Sequence, residues 1–216
     1  MTPCYFSTTF VQESVENYLA KGYSYSRTNN PTVKAFEQKV AELENGFGAA
    51  CFGTGMAATT TIFAGWLKAG DHCVISDCSY GGTKRIAREH FTDFGIEYTF
   101  CDFRDPEEIK RNMKPNTKMV FSETPANPVL SLVDLDVVSK MAHDHGAIHV
   151  VDTTFATPVI LRALDHGADI VLQSTTKFYD GHLFRFFWGL GIALTANFWL
   201  TELAAKREKP DDKGDV

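Results

Sequence analysis

With 216 residues the chain can hold one large domain or two small ones and can bury a sizeable core. Apolar residues make up 44% and charged residues 22%, a soluble globular balance, and a net charge of −6 argues against nucleic acid or anionic membrane as a general partner. The five cysteines are odd in number, scattered and without a C-x-x-C pair, which argues for reduced thiols in a cytoplasm-like compartment and against a disulfide framework or zinc site. Met1–Phe10 lacks the basic start and apolar centre of a signal peptide, so a cytoplasmic protein is expected, or an organellar one if a transit segment lies upstream.

Residues 1–30 are polar and aromatic with little periodicity and read as an extended arm. Within it Tyr23-Ser24-Tyr25-Ser26-Arg27 alternates, which places Tyr25 and Arg27 on one side of an extended segment. A phenol beside a forked guanidinium suits a phosphate, although on local evidence alone an exposed arm with an ordinary surface arginine is the favoured reading. Asn30 and Pro31 have the form of an N-cap and first helical residue. Val33, Phe36, Val40 and Leu43 then recur at helical spacing until Gly46.

From Ala49 the chain alternates short apolar runs with helical patterns. Strands are expected at Ala49–Phe52, Cys73–Ser76, Glu97–Phe100, Met119–Ser122, Ile148–Val151 and Ile170–Leu172, with helices from Met56 to Leu67 and from about Thr83 to Phe94. This alternation, with strands apolar on both faces, predicts an α/β fold with a mostly parallel sheet flanked by helices.

Several strand ends carry chemistry. Gly53-Thr54-Gly55-Met56-Ala57-Ala58 fits the G-x-G-x-x-A of a dinucleotide site, with Asp77 as the ribose acid, or a generic phosphate cradle formed by the amides of Gly55 and Met56. Tyr80, before two glycines, can lay its ring over a flat cofactor. Pro125 and Pro128 fix the loop that aims Asn127 inward. Asp152 ends a strongly apolar strand, where an unpaired carboxylate is costly and a cationic partner is expected. A pyridinium nitrogen is one candidate; a helix cap or structural ion pair is the alternative. Lys177 follows a strand among Ser174 and Thr176; desolvation would free its amine for a Schiff base while the hydroxyls hold a phosphate, although a lysine after a strand is by itself usually a solvated loop residue. The seven histidines lack metal spacing, and His145 and His149 straddle Gly146.

Taken together, Tyr-Ser-Arg-x-x-Asn-Pro-Thr, Gly-Met-Ala-Ala, Tyr-Gly-Gly-Thr, Glu-Thr-Pro-Ala-Asn-Pro, Val-Asp-x-Thr-Phe and Ser-x-Thr-Lys-(x)₃-Gly-His occur in one order between Tyr23 and His182. The set resembles the trans-sulfuration family of pyridoxal-phosphate enzymes, which includes cystathionine synthases and lyases, methionine γ-lyases and homoserine sulfhydrylases. The resemblance implies the large domain of the aspartate-aminotransferase-like fold and pyridoxal 5′-phosphate (PLP) as cofactor. It casts Lys177 as the Schiff-base lysine and proton shuttle, Asp152 as partner of the ring nitrogen, and Tyr80 as the stacking residue with a part in proton transfer. Gly55, Met56, Ser174 and Thr176 would hold the phosphate, and Asn127 would approach the ring hydroxyl. Tyr25 and Arg27 would reach the phosphate of a neighbouring subunit, so a homodimer or homotetramer is implied. The substrate would be a sulfur amino acid or a homoserine ester, reacting at Cβ or Cγ. Gly82 stands where methionine γ-lyases usually carry cysteine, which favours a cystathionine synthase or lyase or a sulfhydrylase. Thr153 stands where the family generally has asparagine.

The resemblance divides the chain into an arm at 1–30, a PLP-binding domain at 31–182 and an atypical tail at 183–216 in place of a small C-terminal domain. Residues 186–200 are mostly apolar but too few for a membrane span, which needs about 20. The expectation is therefore a truncated enzyme of reduced activity. Alternatives are a catalytically dead partner of a full-length paralogue and, remotely, a nicotinamide-dependent dehydrogenase.

Overall fold

A computed structural model describes residues 3–15, 22–179 and 194–196. The Gly181-His182 end of the lysine motif, the boundary at 182 and most of the tail lie outside the described residues.

The arm is less simple than an extended segment. Thr9 bridges Tyr25 in antiparallel fashion, the amide of Phe10 donates to Ser24 O at 3.0 Å, and that of Ser26 donates to Thr8 O at 2.8 Å. The backbone then turns, with the amides of Thr28 and Asn29 both donating to Tyr25 O, at 2.9 and 3.1 Å. Tyr25 and Arg27 therefore do not meet by strand alternation. The turn brings them together instead, with the guanidinium carbon 5.2 Å from the centre of the Tyr25 ring, a cation–π contact.

Helix α1 spans Pro31–Leu43, and the Asn30 side chain accepts from the amide of Thr32 at 2.9 Å. It ends through Asn45, whose φ of 56° is left-handed, while the amide of Gly46 returns to Ala41 O at 2.8 Å. The expected stop at Gly46 thus falls one residue earlier, on an asparagine that tolerates this conformation.

The sheet has seven strands: β1 (Ala50–Cys51), β2 (His72–Ser76), β3 (Glu97–Cys101), β4 (Thr117–Glu123), β5 (Ile148–Asp152), β6 (Ile170–Ser174) and β7 (Leu194–Ala196), in the order β1-β7-β6-β5-β4-β2-β3. Strands β2 to β6 pair in parallel, and β7 is antiparallel to both β6 and β1. Six of these strands match the expected ones. The seventh comes from the apolar tail, whose residues were not expected to join the sheet.

Alternate residues along each strand feed different cores, as the two-residue pleat requires. Cys73, Ile75, Met119, Phe121, Val150 and Leu172 pack on one face with Phe63 of α2 (Gly55–Trp66) and Phe91. The Phe63 and Phe91 rings stack at 5.4 Å. Val74 and Val120 pack on the other face, against Ile109 of α4 (Pro106–Asn112) and Val138 of α5 (Leu135–Asp144). Burying each such side chain contributes about 1.5–3 kcal/mol, which explains why the strands read as unbroken apolar runs. The helix expected from Thr83 to Phe94 is α-helical only as α3 (Gly81–Ile86), followed by a π turn over Ala87–Phe91. Among the described residues no helix is long and apolar enough to cross a membrane.

Candidate active site

Strand β2 passes to β3 on one side of the sheet, whereas β4 passes to β5 and β6 on the other. Open α/β sheets take their ligands in the crevice where the direction reverses, which here falls at the carboxyl ends of β2 and β4. Since β1, β2, β4, β5 and β6 all run the same way, their following residues share one edge. Gly55 and Met56 follow β1, Tyr80 follows β2 and Asn127 follows β4. Asp152 ends β5, and Ser174, Thr176 and Lys177 end and follow β6.

Two buried carboxylates stand side by side in this edge. Glu123 and Asp152 are register partners at the ends of β4 and β5, 3% and 8% exposed. Asp152 Oδ1 accepts from the amide of Thr154 at 2.9 Å. Glu123 Oε2 accepts from the amide of Tyr80 at 2.6 Å and Oε1 from that of Asn127 at 3.4 Å. Burial pushes both carboxyls above their ordinary range, and the Asp152 charge pushes Glu123 further. Among the described residues neither forms an ion pair. The cation expected beside Asp152 is thus not supplied by the described fold, and a pyridinium nitrogen fits the need.

The Tyr80 ring is 58% exposed above the crevice. A Cβ at Gly82 would lie 2.5 Å from Tyr80 Cε1 and 2.7 Å from Met56 Sδ, so glycine is what lets these two side chains close over the start of α3. Helix α2 begins with Thr54 as its cap, Oγ1 accepting from the amide of Ala57 at 3.0 Å. The first-turn amides of Gly55 and Met56 have no acceptor within the helix and suit an anion.

Beyond β6, the amide of Lys177 donates to Ser174 O at 3.1 Å and closes a turn. The hydroxyls of Ser174 and Thr176 lie 3.1 Å apart, and the amide of Ser174 donates to Thr154 Oγ1 at 2.8 Å. Thr154 therefore ties the Asp152 loop to the lysine turn. Lys177 is exposed on that turn, so the desolvation expected of it is not provided by the described residues. Asn127 is exposed too, and its backbone amide, not its side chain, points to the buried carboxylate. Tyr25 and Arg27 stay on the arm, and none of their described contacts is with these strand-end residues.

Two participants escaped the sequence reading. Glu123 ends an apolar strand as Asp152 does, and the same reasoning about a costly buried carboxylate applies to it. Thr154 gave no signal beyond being a hydroxyl near Asp152. The buried histidines are structural: His149 lies between Ser122 Oγ and Ser139 Oγ, 2.8 Å from each, and His72 lies 2.7 Å from Thr117 Oγ1 and 2.9 Å from Thr99 Oγ1.

The sequence profile of the family described as "Cys/Met metabolism PLP-dependent enzyme" matches residues 1–208, past the last motif at His182. Cystathionine beta-lyase MetC of Bacillus subtilis (strain 168) is 45% identical over 180 residues, covering 83% of this chain and 45% of its own length. The crystal structure of metB from Corynebacterium glutamicum superposes with a TM-score of 0.84 at 44% identity, over 90% of this chain and 49% of that one. The structure of an O-acetylhomoserine (thiol)-lyase from Campylobacter jejuni, which carries N′-pyridoxyl-lysine-5′-monophosphate, gives a TM-score of 0.81 at 30% identity, over 89% of this chain and 48% of that one. The chain spans about half the length of the curated relatives it matches.

Proposed function

Because the chain belongs to the Cys/Met metabolism family of PLP-dependent enzymes, we propose that its strand-end crevice binds PLP and serves elimination or replacement at Cβ or Cγ of cystathionine or an activated homoserine. The observation that carries this reading is the buried Asp152 carboxylate, which lacks a described cation and ends the strand next to the one that leads into Lys177. When bound, PLP supplies an electron sink for negative charge developing on the substrate.

The chain's own groups then have definite tasks. Asp152 keeps a proton on the ring nitrogen, since a buried carboxylate favours a cation beside it. The hydroxyls of Ser174 and Thr176 and the amides of Gly55 and Met56 bind the phosphate. Tyr80 covers one face of the ring and excludes water from it, and Asn127 orients the ring hydroxyl. The Lys177 amine holds the cofactor covalently and afterwards moves protons between the substrate's Cα and Cβ. Tyr25 and Arg27 serve the phosphate of a second copy, so the working unit is a homodimer or homotetramer. Their pairing away from the strand ends, with Arg27 exposed and Tyr25 half-buried, supports that arrangement.

A nicotinamide-dependent reading through Gly53–Ala58 would leave Lys177 and Asp152 without roles. The test is direct: purified protein is incubated with PLP, reduced with borohydride and peptide-mapped. A pyridoxyl group on Lys177, absent from Lys177→Ala, is expected, and a wild-type chain with none at Lys177 overturns the proposal.

A further inference from the structure

Glu123 takes no part in the chemistry described above, yet it is the most deeply set charged group at the point where the sheet changes direction. It is 3% exposed, and its two oxygens serve two different loops. Oε2 takes the amide of Tyr80, which follows β2, at 2.6 Å, and Oε1 takes the amide of Asn127, which follows β4, at 3.4 Å. Tyr80 is the N-cap of the short helix α3, with φ −46°, ψ 136° and no side-chain cap bond, so this carboxylate is what satisfies its amide. A carboxylate suits the task because it only accepts. A glutamine in the same place would turn an NH₂ towards one of the two amides. The position is also costly, since Asp152 is its register partner, neither forms an ion pair among the described residues, and Lys84 offsets the burial of Glu123 only in the smallest part.

We propose that Glu123 is the positioning residue of this site: its single carboxylate clamps the backbones of Tyr80 and Asn127 across the crevice between β2 and β4, and so fixes where the phenol ring and the amide side chain stand relative to Asp152. The clamp itself is independent of the cofactor, whereas its consequence for PLP rests on the function proposed above. The ring of Tyr80, 58% exposed, depends on it for its aim.

Two measurements on the full chain test this. Amide hydrogen exchange of the cofactor-free protein should show at least one of the amides of Tyr80 and Asn127, the one that the glutamine NH₂ faces, exchanging at least about tenfold faster in Glu123→Gln than in wild type, the change expected of one lost hydrogen bond to a charged acceptor. The amides of β2 and β4 should be unchanged, and equal protection at both loop amides overturns the clamp. If Glu123→Gln does not fold, Glu123→Asp replaces it: the side chain, one methylene shorter, keeps the charge but cannot span both amides, so at least one must lose protection. In the second measurement, PLP is titrated into the folded variant. It should still place a pyridoxyl group on Lys177 after borohydride, but with about tenfold weaker affinity and an altered visible circular dichroism of the bound cofactor. Wild-type affinity and dichroism in the variant overturn the positioning role. Failure of wild type itself to take PLP removes the proposed function only, and the exchange data then decide on Glu123.

Discussion

The Tyr80 ring and Gly82 are in such close register that a single added carbon at Gly82 would stand 2.5 Å from Cε1 of the ring and 2.7 Å from Sδ of Met56. Both neighbours are side-chain atoms, and the ring is exposed, so they can move where backbone could not. Gly82 also lies inside α3, where alanine is favoured over glycine by about 1 kcal/mol. Gly82→Ala should therefore melt at or slightly above the wild-type temperature while binding PLP more weakly, because the ring is pushed off its place. Gly82→Cys should weaken PLP further. Thermal melts and a fluorescence titration with PLP check this, and unchanged affinity in Gly82→Cys contradicts the contact.

Asp152 and Glu123 make the cofactor-free protein sensitive to pH. Both carboxyls are raised in the fold above their ordinary values of 3.8 and 4.5, by burial first. The sign follows: the stability they contribute is complete below about pH 4 and is lost as pH rises through the raised values. Asp152→Asn removes one charge and keeps an oxygen for the amide of Thr154. At pH 8 the variant should be more stable than wild type by on the order of 1 kcal/mol, and at pH 4 the two should agree. Urea denaturation at both values checks it. A variant that is less stable at pH 8 would mean that Asp152 has a cationic partner in the chain.

The parallel strands were readable from sequence because both faces are covered, so each strand is a short apolar run with nothing to alternate. The chemistry at their ends was readable for a related reason, since a carboxylate or lysine where an apolar run stops is out of place unless it works. The motif order from Tyr23 to His182 indicated the family, and the match over residues 1–208 bears this out. What failed to show depends on distant pairing. Leu194–Ala196 becomes a strand only by lying between β6 and β1, and no local period announces that. Tyr25 and Arg27 meet through a turn closed by Tyr25 O, and the alternation of Tyr23–Arg27 pointed to an extended segment instead. Glu123 was overlooked because its motif drew attention to Asn127, although the two are joined.

His149 gives the opposite pH response. It is fully buried between two serines, and burial pulls it down from 6.5 to about 3. A histidine lowered in the fold contributes stability that is complete above pH 6.5 and is lost as pH falls towards 3. His149→Gln should be less stable than wild type at pH 8 by about 2 kcal/mol, through lost packing and hydrogen bonds. The gap should narrow as pH falls from 6.5 to 4, because the variant has no imidazole to charge. A gap that is constant over this range would show that His149 takes up its proton as readily in the fold as in the unfolded chain.

Beneath the lysine turn, Glu44 at the end of α1 accepts from Gln173 Nε2, and three buried atoms around it, Glu44 Oε2, Gln173 Oε1 and Tyr179 Oη, have no partner among the described residues. Burial raises the Glu44 carboxyl from 4.5 to about 7, against a smaller opposing pull from Arg162, and burial, with the Glu44 charge adding to it, raises the Tyr179 phenol. A carboxyl raised in the fold contributes stability that is present below pH 4.5 and lost as pH climbs through 7. Glu44→Gln should therefore match wild type near pH 4 and exceed it by about 2 kcal/mol at pH 8. Its amide oxygen still accepts from Gln173, while its NH₂ can donate to Gln173 Oε1 or Tyr179 Oη without a charge to desolvate. PLP affinity should be little changed, because the described side-chain hydrogen bond of Gln173 goes to Glu44 and not to a group assigned to the cofactor. Chemical denaturation at the two pH values reads this out, and a variant less stable at pH 8 would mean that the carboxylate is held there by a cation.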